Sequence, residues 1–187
     1  MCIGETIMGR WEDKEKASDL SSDGSDFYDQ GKLEESVACY NESLRLNPED
    51  EVAWFNNGLS LYELDNYKES VLCFEHVIRL NPEEEDAWFF KGQILFEQGK
   101  FQESIPCFDE AIRINPEFDD PWHKKGMVLY YLREFDEAIK CYDQEIMLNS
   151  DSPDSWHNKG MTFEQLGKYA ESVKCYDRAI SLKGGLD

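Results

Sequence analysis

Two histidines, His123 and His157, each stand four residues ahead of a methionine, Met127 and Met161, so all four are candidate metal ligands. A structural transition-metal site needs about four donors closing around the ion. Equivalent places on neighbouring packed helices lie roughly 8–10 Å apart, too far for two imidazoles to share one metal. A lining role in a groove is the better expectation for both. Asp19, Ser21, Asp23, Gly24 and Gln30 imitate part of a calcium loop, but Gln30 stands where the bidentate glutamate is needed. No glycine-rich phosphate loop occurs, and no nucleophile–histidine–carboxylate set stands apart from the background. With 40 acidic residues in the chain, a carboxylate pair can be assembled anywhere and means nothing. The expectation is a protein that is not an enzyme and uses neither metal nor cofactor.

What remains is an apolar stripe at helical spacing. Phe55, Leu59 and Tyr62 fall on one face at about 100° per residue, and the pattern returns as Phe89, Gln93 and Phe96. It returns again as His123, Met127 and Tyr130, flanked by Tyr131, and then as His157, Met161 and Glu164. About half of such a stripe is expected to pack on neighbouring helices, leaving the rest exposed.

The elements behind the stripe follow from a period. Cys39, Cys73, Cys107, Cys141 and Cys175 are each 34 residues apart, as are Trp54, Trp88, Trp122 and Trp156, and Gly24, Gly58, Gly92, Gly126 and Gly160. A fixed period of this length means stacked copies of one supersecondary unit. The units are 17–50, 51–84, 85–118, 119–152 and 153–186, with 1–16 an N-terminal extension. Each holds two apolar-periodic helices. The turn between them is marked by Gly31, Gly99 and Gly167, or by Asp65 and Arg133, and Asn47-Pro48, Asn81-Pro82 and Asn115-Pro116 end the second helix. Acids such as Glu83, Glu84 and Glu85 follow at the next helix start, where the dipole favours them. Glycine inside a helix costs about 1 kcal/mol relative to alanine. The expected reason is close packing against Ser36, Ser70, Ser104, Ala138 and Ser172, with Tyr40, Phe74, Phe108, Tyr142 and Tyr176 beside them.

Trp-x3-Gly, a small residue, an aromatic four residues on, and a proline closing each unit resemble the tetratricopeptide repeat family over 17–186, with Lys-Gly and Cys-Tyr pairs like those of archaeal members. The resemblance implies an all-α superhelix, a solenoid of five tandem helix-turn-helix units. It also makes the stripe (Phe55, Leu59, Tyr62, Phe89, Gln93, Phe96, His123, Met127, Tyr130, Tyr131, His157 and Met161) the lining of a concave peptide groove. The family's clamp for acidic chaperone tails uses Lys and Asn, whereas Phe55, Leu59, Phe89, Gln93, His123 and Met127 stand in those places, so that ligand is not expected. The first unit departs most, with Leu20 for tryptophan in a Ser/Asp-rich stretch, and its first helix is expected to be the weakest. Glu145 takes a place held elsewhere by Ala111 and Ala179, and pairing with Lys159 is expected.

The net charge of −21 opposes nucleic acid and anionic membranes. It favours a protein or peptide partner with basic flanks and apolar anchors. By unit the charge runs −7, −5, −4, −4 and 0, counting Asp187 with the last. A cationic ligand therefore feels most attraction toward the first units. The N-terminus lacks a basic segment followed by an apolar stretch, and the cysteine spacing suits buried free thiols in a reducing compartment, so a cytoplasmic location is expected. The alternative is a self-associating assembly module, a homo-oligomer paired through the uncharged C-terminal repeat, where Val173 and Ile180 face outward with no covering helix.

Overall fold

A computed structural model describes the backbone of residues 2–184 and the side chains of 12–184. Ten helices and no strand occur among the described residues. They are α1 (Cys2–Asp29), α2 (Leu33–Leu46), α3 (Glu51–Glu63), α4 (Tyr67–Leu80), α5 (Glu85–Glu97), α6 (Phe101–Ile114), α7 (Asp119–Tyr131), α8 (Phe135–Leu148), α9 (Pro153–Gln165) and α10 (Tyr169–Gly184). None of them is long and apolar enough to cross a membrane. The chain divides after Ala87 into two compact units.

In the first unit α1 packs on α2 and α3 on α4, and α2 stacks the two hairpins together through α3. In the second, α7 pairs with α8 and α9 with α10, joined through α6·α7 and α8·α9. The turns are those the sequence marks. Gly31, Asp65, Gly99, Arg133 and Gly167 all have φ between 56° and 71°. Each lets the next amide reach back to a carbonyl five residues earlier, as Lys32 N–H does to Phe27 (2.9 Å) and Glu134 N–H to Leu129 (2.8 Å). Asn47, Asn81 and Asn115 end their helices as predicted, and Asn149 does so with nearly the same dihedrals although Ser150 follows it instead of proline. Asparagine therefore closes the helix without help.

The same asparagines explain part of the acidity. Asn81 Nδ2 donates to Glu51 (3.0 Å) and Asn149 Nδ2 to Asp119 (3.1 Å), tying the end of one helix to the acidic start of its neighbour. The tryptophans work in the opposite direction along the chain. Trp54 Nε1 donates to the Pro48 carbonyl (2.9 Å) and Trp156 Nε1 to that of Ser150 (3.3 Å), so each indole pins the loop before it.

The glycines are filled from across the hairpin by rings as well as by small residues. A Cβ on Gly58 would lie 3.0 Å from the Phe74 ring, on Gly92 2.8 Å from Phe108, and on Gly126 2.7 Å from Tyr142. Ser70 Oγ donates to the Gly58 carbonyl at 2.7 Å, so the small residue approaches as expected and the ring takes the remaining space. The first helix is unbroken through the Ser/Asp-rich stretch, with Ser25 bonded to the Tyr40 hydroxyl (2.8 Å). That helix also places Asp19, Ser21, Asp23 and Gly24 on helical backbone, not in a calcium loop.

Candidate functional site

In the first unit, Phe55, Leu59 and Tyr62 lie along α3 and all three are half-buried. Phe55 sets its edge on Phe74 at 5.6 Å, and Tyr62 tilts against Tyr67 at 5.8 Å. Leu59 is one wall of a pocket of about 280 Å³ whose other walls are Ser25, Tyr28, Asp29, Tyr40 and Asn56. Of these six only Leu59 belongs to the stripe.

The second unit holds the rest of the stripe. Phe89 is 7% exposed and sits in the core with Phe108, Ala111 and Val128, its ring tilted on Phe118 at 5.2 Å. It is a packing residue and not an open anchor, because the aromatic Phe118 covers it from the next loop. Gln93 is half-buried on the same helix. Phe96 tilts against Phe101 (5.5 Å) and Tyr131 (5.8 Å), and Tyr131, 54% exposed, stacks flat on Phe101 at 5.2 Å. Met127, Tyr130, Tyr131 and Met161 converge on a small pocket of about 50 Å³, completed by Tyr142 and Asn158. His157 is exposed, its ring tilted on Tyr176 at 5.3 Å.

The two pockets share one register. Ser25, Tyr28, Asp29, Tyr40, Asn56 and Leu59 become Met127, Tyr130, Tyr131, Tyr142, Asn158 and Met161 three repeat lengths later, position for position. The stripe, counted from the second repeat onward, missed Ser25, Tyr28, Asp29 and Asn56. Tyr28 stands one period before Tyr62, so the repeat itself carried the signal. Both pocket floors are neutral phenols, since burial raises the pKa of Tyr40 and Tyr142 above the ordinary phenolic value.

His123 is committed elsewhere. Its Nδ1 lies 2.8 and 3.0 Å from the two carboxylate oxygens of Glu145, which also takes the Ser155 hydroxyl and, at 3.4 Å, that of Ser152. The expected Glu145–Lys159 pair does not form. Lys159 pairs with Asp143, as Lys125 does with Asp109 at 2.5 Å, a link of fixed spacing from one repeat to the next. Asp143 and Glu145 differ by two residues, about 200° around the helix, so only one of them can meet Lys159. Among the described residues no cluster of three or more histidine, cysteine or acidic side chains could hold a metal. The cysteines at 39, 73, 107, 141 and 175 are free, and burial pushes the Cys73 thiol up to about 12 and that of Cys141 to about 11. Such thiols stay protonated and unreactive at neutral pH.

Residues 24–65 match a model of the TPR repeat, and 55–117, 120–152 and 153–184 match models of the tetratricopeptide repeat. The chain belongs to the tetratricopeptide repeat family. No curated protein matches it in sequence. Among solved structures it resembles MamA, with 20% identity over 87% of this chain and 95% of that one and a TM-score of 0.84. It resembles MamA from residue 41 to its end from Desulfovibrio magneticus RS-1, with 17% identity over 92% and 97% and a TM-score of 0.87. It also resembles YrrB, described as a TPR protein with an unusual peptide-binding site, with 21% identity over 98% and 93% and a TM-score of 0.80. At these identities the likeness shows the fold, an all-α tetratricopeptide solenoid.

Proposed function

We propose that this tetratricopeptide repeat protein is a non-enzymatic scaffold that holds a peptide segment with apolar anchors and basic flanks. The first unit offers Phe55, Leu59 and Tyr62, and the second offers Phe96, Met127, Tyr130, Tyr131 and Met161, with Gln93 and His157 as polar lining. One observation carries the reading: two pockets recur at one register of the repeat, each built from a first helix, its partner helix and the first helix that follows. A pocket that recurs at one register suits the side chains of an extended peptide. The net charge of −21 supplies attraction for basic flanks, and flexible methionines tolerate varied anchors. YrrB, of the same fold, is described as having a peptide-binding site. Free buried thiols suit a reducing, cytoplasmic setting.

The test is affinity capture from native extract with wild type and Phe55→Ala/Tyr130→Ala/Met161→Ala, after circular dichroism confirms that the variant stays helical. A partner held by wild type, weakened at least about tenfold in the variant and released by salt is expected. Equal recovery from both removes the groove.

A second reading rests on α10, where Val173 is 56% and Ile180 68% exposed. Beside them His157, Tyr176, Ala179, Ile180 and Lys183 line an open pocket of about 460 Å³. Paired copies of the chain would cover this face, and apolar pairing persists in salt. Light scattering at about 100 µM then gives a dimer mass that Ile180→Glu returns to monomer. A monomer mass for wild type ends that reading.

A further inference from the structure

The two pockets of shared register differ at two positions that bear on ligand choice. Met127 lines the second pocket, and Ser25 takes the equivalent place in the first. Serine lacks the chain that would fill the space, consistent with about 280 Å³ in the first pocket against about 50 Å³ in the second. Beside the tyrosine wall, Tyr131 of the second pocket corresponds to Asp29 of the first. The other walls match in kind: Tyr28 for Tyr130, Tyr40 for Tyr142, Asn56 for Asn158 and Leu59 for Met161.

We infer that the pocket over Ser25 and Tyr40 takes the cationic side chain of a bound peptide, arginine by preference, between the Tyr28 ring and the Asp29 carboxylate; that the cation belongs to a peptide rests on the function proposed above. The volume suits one side chain and falls just below what a small-molecule ligand usually occupies. Leu59 and the two tyrosine rings receive the methylenes, as apolar surface does for long basic side chains. The charged end meets acceptors: the Asp29 carboxylate, the Asn56 amide oxygen and the Tyr28 hydroxyl. A planar guanidinium can stack on a tyrosine and donate to several acceptors at once, which a compact ammonium does less well.

The local field is negative and unopposed. After burial, the carboxylates of Glu63 and Asp29 are what raise the Tyr28 phenol, and Asp29 also raises that of Tyr40. The cations of the first repeat are engaged away from the pocket. Lys32 lies over the Phe27 ring at 5.6 Å and donates to Gln30, while Arg45 pairs with Glu42 at 2.8 Å. Asp29 forms no salt bridge among the described residues.

The full chain is titrated with acetyl-arginine methylamide and followed by amide chemical shifts, with the neutral citrulline analogue and tetramethylammonium as comparisons. Saturable shifts at Tyr28, Asn56 and Leu59, without matching ones at Tyr130, Asn158 and Met161, are expected. Asp29→Asn, at an exposed position, should weaken the arginine probe about tenfold. Ser25→Met, which installs the residue of the second pocket, should abolish the shifts. Equal binding of the citrulline analogue, or equal response of both pockets, overturns the inference. Tighter binding of tetramethylammonium than of arginine also overturns it, assigning the pocket to a free quaternary cation. The probe needs no partner, so the two readings fail separately. Arginine binding beside a partner capture indifferent to Ser25→Met overturns the peptide half of the inference. Capture lost in the groove variant without any arginine response overturns the cation pocket and leaves the groove.

Discussion

Phe108→Ala is expected to destabilise the second unit by about 3–5 kcal/mol, the usual cost of removing a buried aromatic ring. The ring is fully buried, lies 6.2 Å from that of Phe89, and shares its cluster with Ala111 and Val128, so one side chain joins α5, α6 and α7. Its other neighbour is Gly92, where an added Cβ would sit 2.8 Å from the ring. Gly92→Ala alone should therefore lose about 1–3 kcal/mol to overpacking, against which alanine returns about 1 kcal/mol of helix propensity. The two changes share one space, so they should not add. With the ring gone, the new methyl enters the void, and the double variant should be more stable than the sum of the singles predicts. Urea unfolding of the four proteins gives the cycle. Because repeat arrays can open locally, hydrogen exchange should place the loss in α5 to α7. Additive effects would mean that glycine and ring do not compete for the same volume.

That glycine–ring contact shows what the sequence makes legible. Period, turn residues, helix ends and the aromatic opposite each glycine are all written as spacing, because each repeat solves the same packing problem with the same residue. Gly31, Asp65 and Arg133 mark turns by position even where the residue type is a poor guide, and all three adopt positive φ. The groove is less legible. A stripe at helical spacing finds the side of the helix but not the depth at which a side chain stops. Phe89 has the same spacing as Phe55, but Phe118, Phe108 and Val128 close around it and make it core. The pocket around Ser25 was hidden for a different reason. The first repeat lacks the tryptophan and departs most from the period, while its serine opens space that later repeats fill with Leu, Gln or Met. The partner of Lys159 is written in the spacing. Lys125 and Asp109 have the same separation as Lys159 and Asp143, and both pairs form.

Glu145→Ala is expected to lower stability by about 1–3 kcal/mol, the penalty for leaving buried hydrogen-bonding groups without a partner. On family pattern alone the change should be harmless or better, since alanine occupies the equivalent place in two other repeats. The structure reverses that expectation through what surrounds the carboxylate. Glu145 is 5% exposed, and its oxygens hold His123 from α7 together with Ser152 and Ser155 at the start of α9. Ser152 also caps α9 through the Ser155 amide at 3.4 Å, so the network sets where one repeat meets the next. Alanine strands one nitrogen of His123 and leaves the fully buried Ser155 hydroxyl with the Ser152 hydroxyl, at 2.6 Å, in place of a carboxylate. Removing the whole network is a different experiment. In Glu145→Ala/Ser155→Ala/His123→Phe the half-buried Ser152 hydroxyl keeps the Ser155 amide, and a buried polar cluster replaced by apolar residues of fitting volume is often neutral or stabilising. The triple variant should therefore recover to within about 1 kcal/mol of wild type, while each single change lies below it. Thermal unfolding at neutral pH orders the five proteins: wild type, the three single variants and the triple variant. A neutral Glu145→Ala would show that burying the carboxylate costs as much as its hydrogen bonds return. A triple variant no better than the single would show that the polar network, and not its satisfied state, holds α9 against α8.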